Sequence, residues 1–212
     1  MKVNRYEIYR YMGVRGEADE RTRELVEDCL RELEMKISPR SFSMEYPVTV
    51  APDDTIDMTC FRVQSHNLGR NLRGCEKVIL FAATIGEGAD LLIRRYSRVN
   101  VSRALAMQAS SAAMIEAYCN EQNQRYKEDA RARGYFLRPR FSPGYGDFPL
   151  EKQRILCDVL KTEKTVGIKL TGSLLMMPSK SVTAVIGMSR HEEPCIMEGC
   201  EACGKKDCAF RR

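Results

Sequence analysis

The run Arg138-Pro139-Arg140-Phe141-Ser142-Pro143-Gly144-Tyr145-Gly146-Asp147 sets a guanidinium beside a proline-glycine turn and a phenol. Arg140 offers a planar fork of donors that matches a carboxylate, Pro143-Gly144 forces a tight turn, and glycine lets a bound group approach the backbone closely. An amino-acid-like ligand fits such a turn; the competing reading is a surface turn whose arginine is merely solvated. A second cluster closes the chain, Cys195-x4-Cys200-x2-Cys203-x4-Cys208, with Gly199 and Gly204 to let the loop fold back. Four thiolates at this spacing suit tetrahedral ligation of zinc or of an iron–sulfur cluster. His191, beside Glu192 and Glu193, reads as a solvated residue before it reads as a substitute ligand.

The remaining five cysteines are scattered, and the N-terminal MKVNRYEIYRYMG has no apolar stretch of signal length, so a cytoplasmic protein without a disulfide framework is expected. The longest apolar run, Val78 to Ala83, is too short to span a bilayer and reads as a buried strand, so no membrane role is expected. A net charge of +5 over 212 residues is modest and gives no ground for nucleic-acid binding. The densest basic stretch, Arg125 to Arg140, is read as a solvated helix face, with docking onto an acidic protein as the alternative.

The chain must build a scaffold for these groups. Residues 19–37 place Val26, Cys29, Leu30, Leu33 and Ile37 on one helical stripe, with Asp19 as a cap and Ser38-Pro39 as a stop. Phe42 to Val50 alternates, Pro52-Asp53-Asp54 turns the chain, and Ile56 and Met58 resume the alternation, which predicts paired antiparallel strands. A short helix over 66–73, a strand over 77–83 and helices over 87–98 and 101–133 follow, the last ending at Gly134. Its first half is apolar or small nearly all round and contains Glu116, so it belongs in the centre of the domain. A helix over 150–160 and strands over 166–177 and 181–189, broken by Pro178, complete the pattern. The expected fold class is α+β: a mainly antiparallel twisted sheet packed with a long central helix and shorter helices, as one domain over 1–190 with a cysteine-rich tail over 191–212.

The Arg140-x-x-x-Gly144-Tyr145 turn is followed at 163–187 by EKTVGIKLTGSLLMMPSKSVTAVIG, with Thr-x-Ser, Met-x-Pro and Ser-Val elements. Together these resemble the S-adenosylmethionine-binding activation domain of cobalamin-dependent methionine synthase, here as a free-standing subunit. The resemblance implies that Arg140 grips the methionyl carboxylate, that Phe141, Gly144 and Tyr145 line the same groove, and that Glu116, in Ile-Glu-Ala-Tyr, approaches the ligand from the long helix. An early aspartate should contribute, with Asp19, Asp53, Asp54 and Asp57 all eligible. The implied reaction is methyl transfer from S-adenosylmethionine to a cobalamin that has lapsed to the cob(II) state, coupled to one-electron reduction. Cobalt is then the nucleophile, so no catalytic side chain is expected and the protein supplies positioning.

No cobalamin-binding Asp-x-His-x-x-Gly loop occurs in the chain, so the cobalamin is expected only through a corrinoid-carrying partner, and the electron from a donor such as flavodoxin or ferredoxin. The alternative is a metal-binding redox or adaptor module that docks on a corrinoid protein without S-adenosylmethionine turnover. Two departures from the family pattern stand out: Gly146-Asp147-Phe148-Pro149 replaces the acidic-histidine string after Gly-Tyr, and the cysteine tail replaces a longer C-terminal segment with a further aromatic contact.

Overall fold

The computed structural model describes residues 1–192, so Cys195, Cys200, Cys203 and Cys208 lie outside the described residues. In chain order it forms α1 (Arg5–Tyr11), α2 (Glu20–Glu34), β1 (Arg40–Pro47), β2 (Thr49–Val50), β3 (Thr55–Asp57), β4 (Arg62–Gln64), α3 (His66–Leu72) and β5 (Cys75–Thr84). There follow α4 (Gly88–Val99), α5 (Val101–Ala132), β6 (Phe136–Leu137), α6 (Lys152–Leu160), α7 (Thr162–Thr165), β7 (Lys169–Leu170), β8 (Met176–Met177) and β9 (Ser181–Ser189). The class is α+β, with antiparallel strand pairing and a long helix. The chain divides into two compact units, one of residues 1–42, 82–125 and 161–182, the other of 43–81, 126–160 and 183 onward.

In the first unit α2 starts where Asp19 accepts the Thr22 amide at 2.7 Å, satisfying one of the free donors of a helix start. It buries Val26, Cys29, Leu30 and Leu33, the stripe that its spacing predicts, but it ends at Glu34, so Ile37 lies beyond it. Glu32 on α2 accepts from Tyr96 on α4 and Arg103 on α5, each at 2.9 Å, which joins three helices through one carboxylate. Ala106, Met107, Ala109, Ala113 and Met114 of α5 are buried, as small and apolar residues at close helix contacts should be. The stretch expected to be strand over 166–177 follows a short turn of helix, α7, and is strand only in two brief paired segments, β7 and β8. Lys161 enters α7 in the left-handed region (φ 49°), and the buried Thr162 hydroxyl donates to the Ile168 carbonyl at 2.9 Å.

Lys180 closes this unit's last segment. Its carbonyl accepts from the Ile85 amide and the Thr84 hydroxyl, each at 3.2 Å, and its side chain is buried to 9% exposure. Burial pushes the Lys180 ammonium's pKa down, and Asp90 offsets only part of that. The folded protein therefore gives up this proton before the unfolded chain does, so stability gains from Lys180 as pH rises toward the unfolded lysine value, and below the folded value the buried charge is a full cost. Lys180→Met should accordingly raise the melting temperature at pH 7 by a few degrees, for about 1 kcal/mol, and lose the wild type's relative gain on the alkaline side. Parallel melts from pH 7 to 10 check this; a variant that tracks the wild type at every pH would refute it.

The second unit contains most of a four-stranded sheet of order β1-β5-β9-β6. Residues 78–84 of β5 and 183–189 of β9 are buried without a break, which is why β5 reads as a continuous apolar run over 78–83 and not as an alternating strand. A small sheet, β2-β3-β4, pairs Val50 with Ile56 and Ile56 with Val63. Gly187 in β9 is a close-approach position: a Cβ there would lie 2.6 Å from the Cys75 sulfur and 2.8 Å from Leu72.

Candidate functional site

The Arg138–Asp147 run belongs to the second unit and grows out of the sheet's edge. β6 pairs antiparallel with β9, Phe136 opposite Ser189 and Leu137 opposite Met188, and the Arg138 amide continues the ladder to the Gly187 carbonyl at 2.8 Å. Phe141 then pairs with Val185, their amides and carbonyls exchanging bonds of 2.9 and 2.8 Å. Pro139 and Arg140 together thus oppose the single residue Ile186, so one extra residue sits on this strand. That is a β-bulge, a device that re-aims a side chain at a sheet edge. Pro139 tolerates it because the position asks for no amide donor. Arg138, the neighbouring guanidinium, is buried to 8% exposure and donates to the Arg73 carbonyl at 3.3 Å, while Arg140 is half-buried.

Beyond the bulge the turn closes on itself. The Tyr145 amide donates to Ser142, Phe148 to Tyr145 and Gly144 to Phe148, at 3.2, 3.0 and 2.8 Å. Gly144 (φ 89°) and Gly146 (φ 55°) occupy the left-handed region that side chains resist. Phe148 anchors the turn in the core, its ring 6.3 Å from Phe141, and Tyr145 is left 66% exposed.

Asp147 ties this turn to α3. Its carboxylate accepts from the Ser65 hydroxyl at 2.6 Å and from the His66 and Asn67 amides at 2.7 and 3.1 Å. Burial pushes the Asp147 carboxyl up, but the Ser65 hydroxyl and the Asn67 and His66 amides outweigh it and bring the pKa down to about 2. A Cβ on Gly146 would lie 2.8 Å from the Asn67 side-chain nitrogen, and Asn71 donates to the Pro139 carbonyl at 3.4 Å. One short helix therefore braces both ends of the run. Nothing in the local sequence marks Asp147 for this, because its partners lie some 80 positions earlier.

The four early aspartates do different work. Asp19 caps α2, Asp53 holds Thr55, and Asp57 holds the Thr59 amide and Arg62. Asp54 alone of the four has its partners around α3, pairing with His66 at 2.7 Å and with Arg73 at 3.0 Å. Glu116 stands half-buried on α5 in the first unit. After burial and Glu7, its charge helps to keep the Tyr11 hydroxyl's pKa above the ordinary tyrosine range. A shallow hollow of about 370 Å³ opens on that unit, lined by Lys2, Ala117, Asn120, Glu121, Gln124 and Arg125; none of the turn residues lines it. Among the described residues no cluster of three His, Cys, Asp or Glu side chains is arranged to hold a metal ion, and no helix is long and apolar enough to cross a membrane.

Comparison with known families decides what the turn belongs to. The family described as vitamin B12 dependent methionine synthase, activation domain, matches residues 70–194. The chain belongs to this activation-domain family. The matched segment begins in α3 and contains the bulge, the turn, Glu116 and β9, so the family pattern spans all five residues of the expected ligand groove. The fold agrees: the solved MetH reactivation domain bound to AdoHcy superimposes with a TM-score of 0.67 at 18% identity, over 90% of this chain and 75% of that one. No curated protein matches by sequence.

Proposed function

We propose that this activation domain binds S-adenosylmethionine through Arg140, Phe141, Gly144 and Tyr145, with Glu116 contributing from α5, and supports reductive methylation of the oxidised cobalamin of a corrinoid-carrying partner. The observation that carries this reading is the family match over a segment in which a β-bulge and a doubly braced glycine turn present an arginine and an exposed tyrosine. That the related MetH domain was solved with AdoHcy, the demethylated product, adds support. The donor set fits the ligand's amino-acid end: Arg140 pairs with the carboxylate, and the glycines allow contact with the backbone. Tyr145 supplies an apolar face with a polar tip. Bound S-adenosylmethionine supplies an electrophilic methyl group that a reduced corrinoid cobalt can accept. The chain's own part is to hold that methyl outward in one orientation, which accelerates transfer through proximity without an acid or base. Isothermal titration with S-adenosylmethionine tests the reading: saturable 1:1 binding is expected, and its absence would remove it.

The corrinoid belongs to the partner, a cobalamin-binding domain, and the electron to a separate donor such as flavodoxin or ferredoxin. The cysteine tail is proposed to bind zinc or an iron–sulfur cluster on its Cys-x4-Cys-x2-Cys-x4-Cys spacing. Anaerobically purified protein should carry about one zinc per chain, or iron and sulfide with visible absorbance, and lose it when Cys200 and Cys203 are both replaced by Ser. Metal-free protein that withstands chelator without change would refute the tail site.

A further inference from the structure

The geometry points to Asp54 as a positioning residue for the ligand run: its carboxylate clasps both ends of α3 and through them sets how far Arg140 stands from Tyr145. This deepens the ligand reading proposed above and rests on it. Asp54 lies in the turn that joins β2 to β3, its side chain only 19% exposed. Oδ2 lies 2.7 Å from Nδ1 of His66, the first residue of α3, and Oδ1 accepts from Arg73, the C-cap of α3, at 3.0 Å. The Asp54 carbonyl accepts the Ser65 amide at 3.2 Å, so backbone and side chain both grip the helix. With both carboxylate oxygens engaged in this way, Asp54 acts through α3 and not by touching the ligand.

Each clasped end holds a different half of the run. At the α3 N-terminus the Ser65 hydroxyl and the His66 and Asn67 amides hold Asp147, and with it the turn that presents Tyr145. At the C-terminus the Arg73 carbonyl accepts from Arg138 at 3.3 Å and Asn71 donates to the Pro139 carbonyl at 3.4 Å, which fixes the two residues just before Arg140. The seven residues of α3 are thus a spacer of about 10 Å between the halves. A helix this short is marginal by itself and needs an outside tie to keep its ends in place.

The sequence breaks two local preferences at this one contact. Asp54 occupies the left-handed region at φ 62°, a conformation that an aspartate adopts less readily than glycine. Gly69 stands inside α3, where glycine is a poor helix former, and a Cβ there would lie 3.1 Å from Asp54 Oδ1. A carboxylate laid against the flank of the helix accounts for both departures, and departures of this kind gather where a fold positions a functional group. The neighbouring Asp53 shows the contrast, for its carboxylate only closes its own turn on Thr55.

The test is calorimetric titration of the wild type, Asp54→Asn and the double variant His66→Ala/Arg73→Gln with S-adenosylmethionine and with 5′-methylthioadenosine, which has no amino-acid end. Asparagine tolerates the left-handed backbone, so Asp54→Asn should fold. The double variant leaves Asp54 in place and removes its two exposed partners, so it decides the matter if Asp54→Asn does not fold. Each should weaken S-adenosylmethionine about tenfold, because the ligand spans both halves, and 5′-methylthioadenosine by no more than about twofold, because a ligand that meets one half is indifferent to the spacing. Neither should weaken S-adenosylmethionine further in an Arg140→Ala background. Equal loss of both ligands, a loss that adds to that of Arg140→Ala, or no loss in either variant would overturn the proposal. Amide hydrogen exchange without ligand separates the clasp from the ligand reading: the Asn67, Gly144 and Phe148 amides should exchange about tenfold faster in Asp54→Asn than in the wild type. If the wild type binds no S-adenosylmethionine yet this acceleration is seen, the ligand reading fails and the clasp on the run stands; unchanged exchange would strike the clasp whatever binds.

Discussion

Arg140→Ala should weaken S-adenosylmethionine binding by roughly 10- to 100-fold while leaving the melting temperature within about a degree of wild type. The size follows from what is removed: a charge-assisted pair with a carboxylate contributes about 1.5–3 kcal/mol, and each 1.4 kcal/mol is tenfold in affinity. Stability should be spared because the ladder around Arg140 is built from the backbones of Arg138, Gly187, Phe141 and Val185, which the substitution does not touch. Arg140→Lys should fall between, since an ammonium keeps the charge but loses the planar fork. A sharper control uses the ligand. 5′-Methylthioadenosine lacks the amino-acid end, so its affinity, whatever its value, should be the same for wild type and Arg140→Ala. If the variant lost both ligands equally, Arg140 would be holding the turn together and not gripping a carboxylate, and its assignment would fail.

How far this site could be read from sequence depended on the range of the interactions that make it. Helix α2 was legible because its apolar stripe and its Asp19 cap lie within one stretch of chain, and β5 was legible because a strand buried on both faces needs unbroken apolar residues. The end of α5 was legible too, since Gly134 adopts the left-handed conformation (φ 74°) that closes helices. Elements of two to four residues, such as β6, α7, β7 and β8, carry too little pattern to announce themselves, and α1 is short and mostly polar. In the site, the Arg140–Tyr145 turn could be picked out by its glycines and proline. The bulge could not, because a register shift is a property of two strands and the partner lies more than 40 positions away. Nor could Asp147, which in sequence is only a residue where the family's acidic-histidine string is missing, and in space is the anchor of the turn.

That anchor gives the second large effect. Asp147→Ala should lower stability by about 1–2 kcal/mol, some 3–6 °C in melting temperature for a chain of this size, and should weaken S-adenosylmethionine binding as well. Three donors lose their acceptor: the Ser65 hydroxyl and the His66 and Asn67 amides. The loss stays moderate because Asp147 lies at the surface, where water can take up the freed amides, and because Ser65 still caps α3 by accepting the Leu68 amide at 3.2 Å. Affinity should fall because the glycine turn then loses its carboxylate tie to α3, and a looser turn must be ordered when the ligand binds.

The pH dependence separates this electrostatic brace from simple packing. The folded carboxyl sits at about 2, below the ordinary unfolded aspartate near 3.9, so its stabilisation is nearly complete above about pH 4.5 and is lost as pH falls toward 2. The stability gap between wild type and Asp147→Ala should therefore be constant from pH 7 to about 4.5 and close progressively below that. Asp147→Asn keeps the shape and an acceptor oxygen but not the charge, so it should hold a fixed intermediate stability, its gap to the wild type narrowing over the same acid range. A gap between wild type and Asp147→Ala that persists undiminished at pH 2.5 would mean that the side chain acts by packing alone. The carboxylate brace between the turn and α3 would then have to be abandoned.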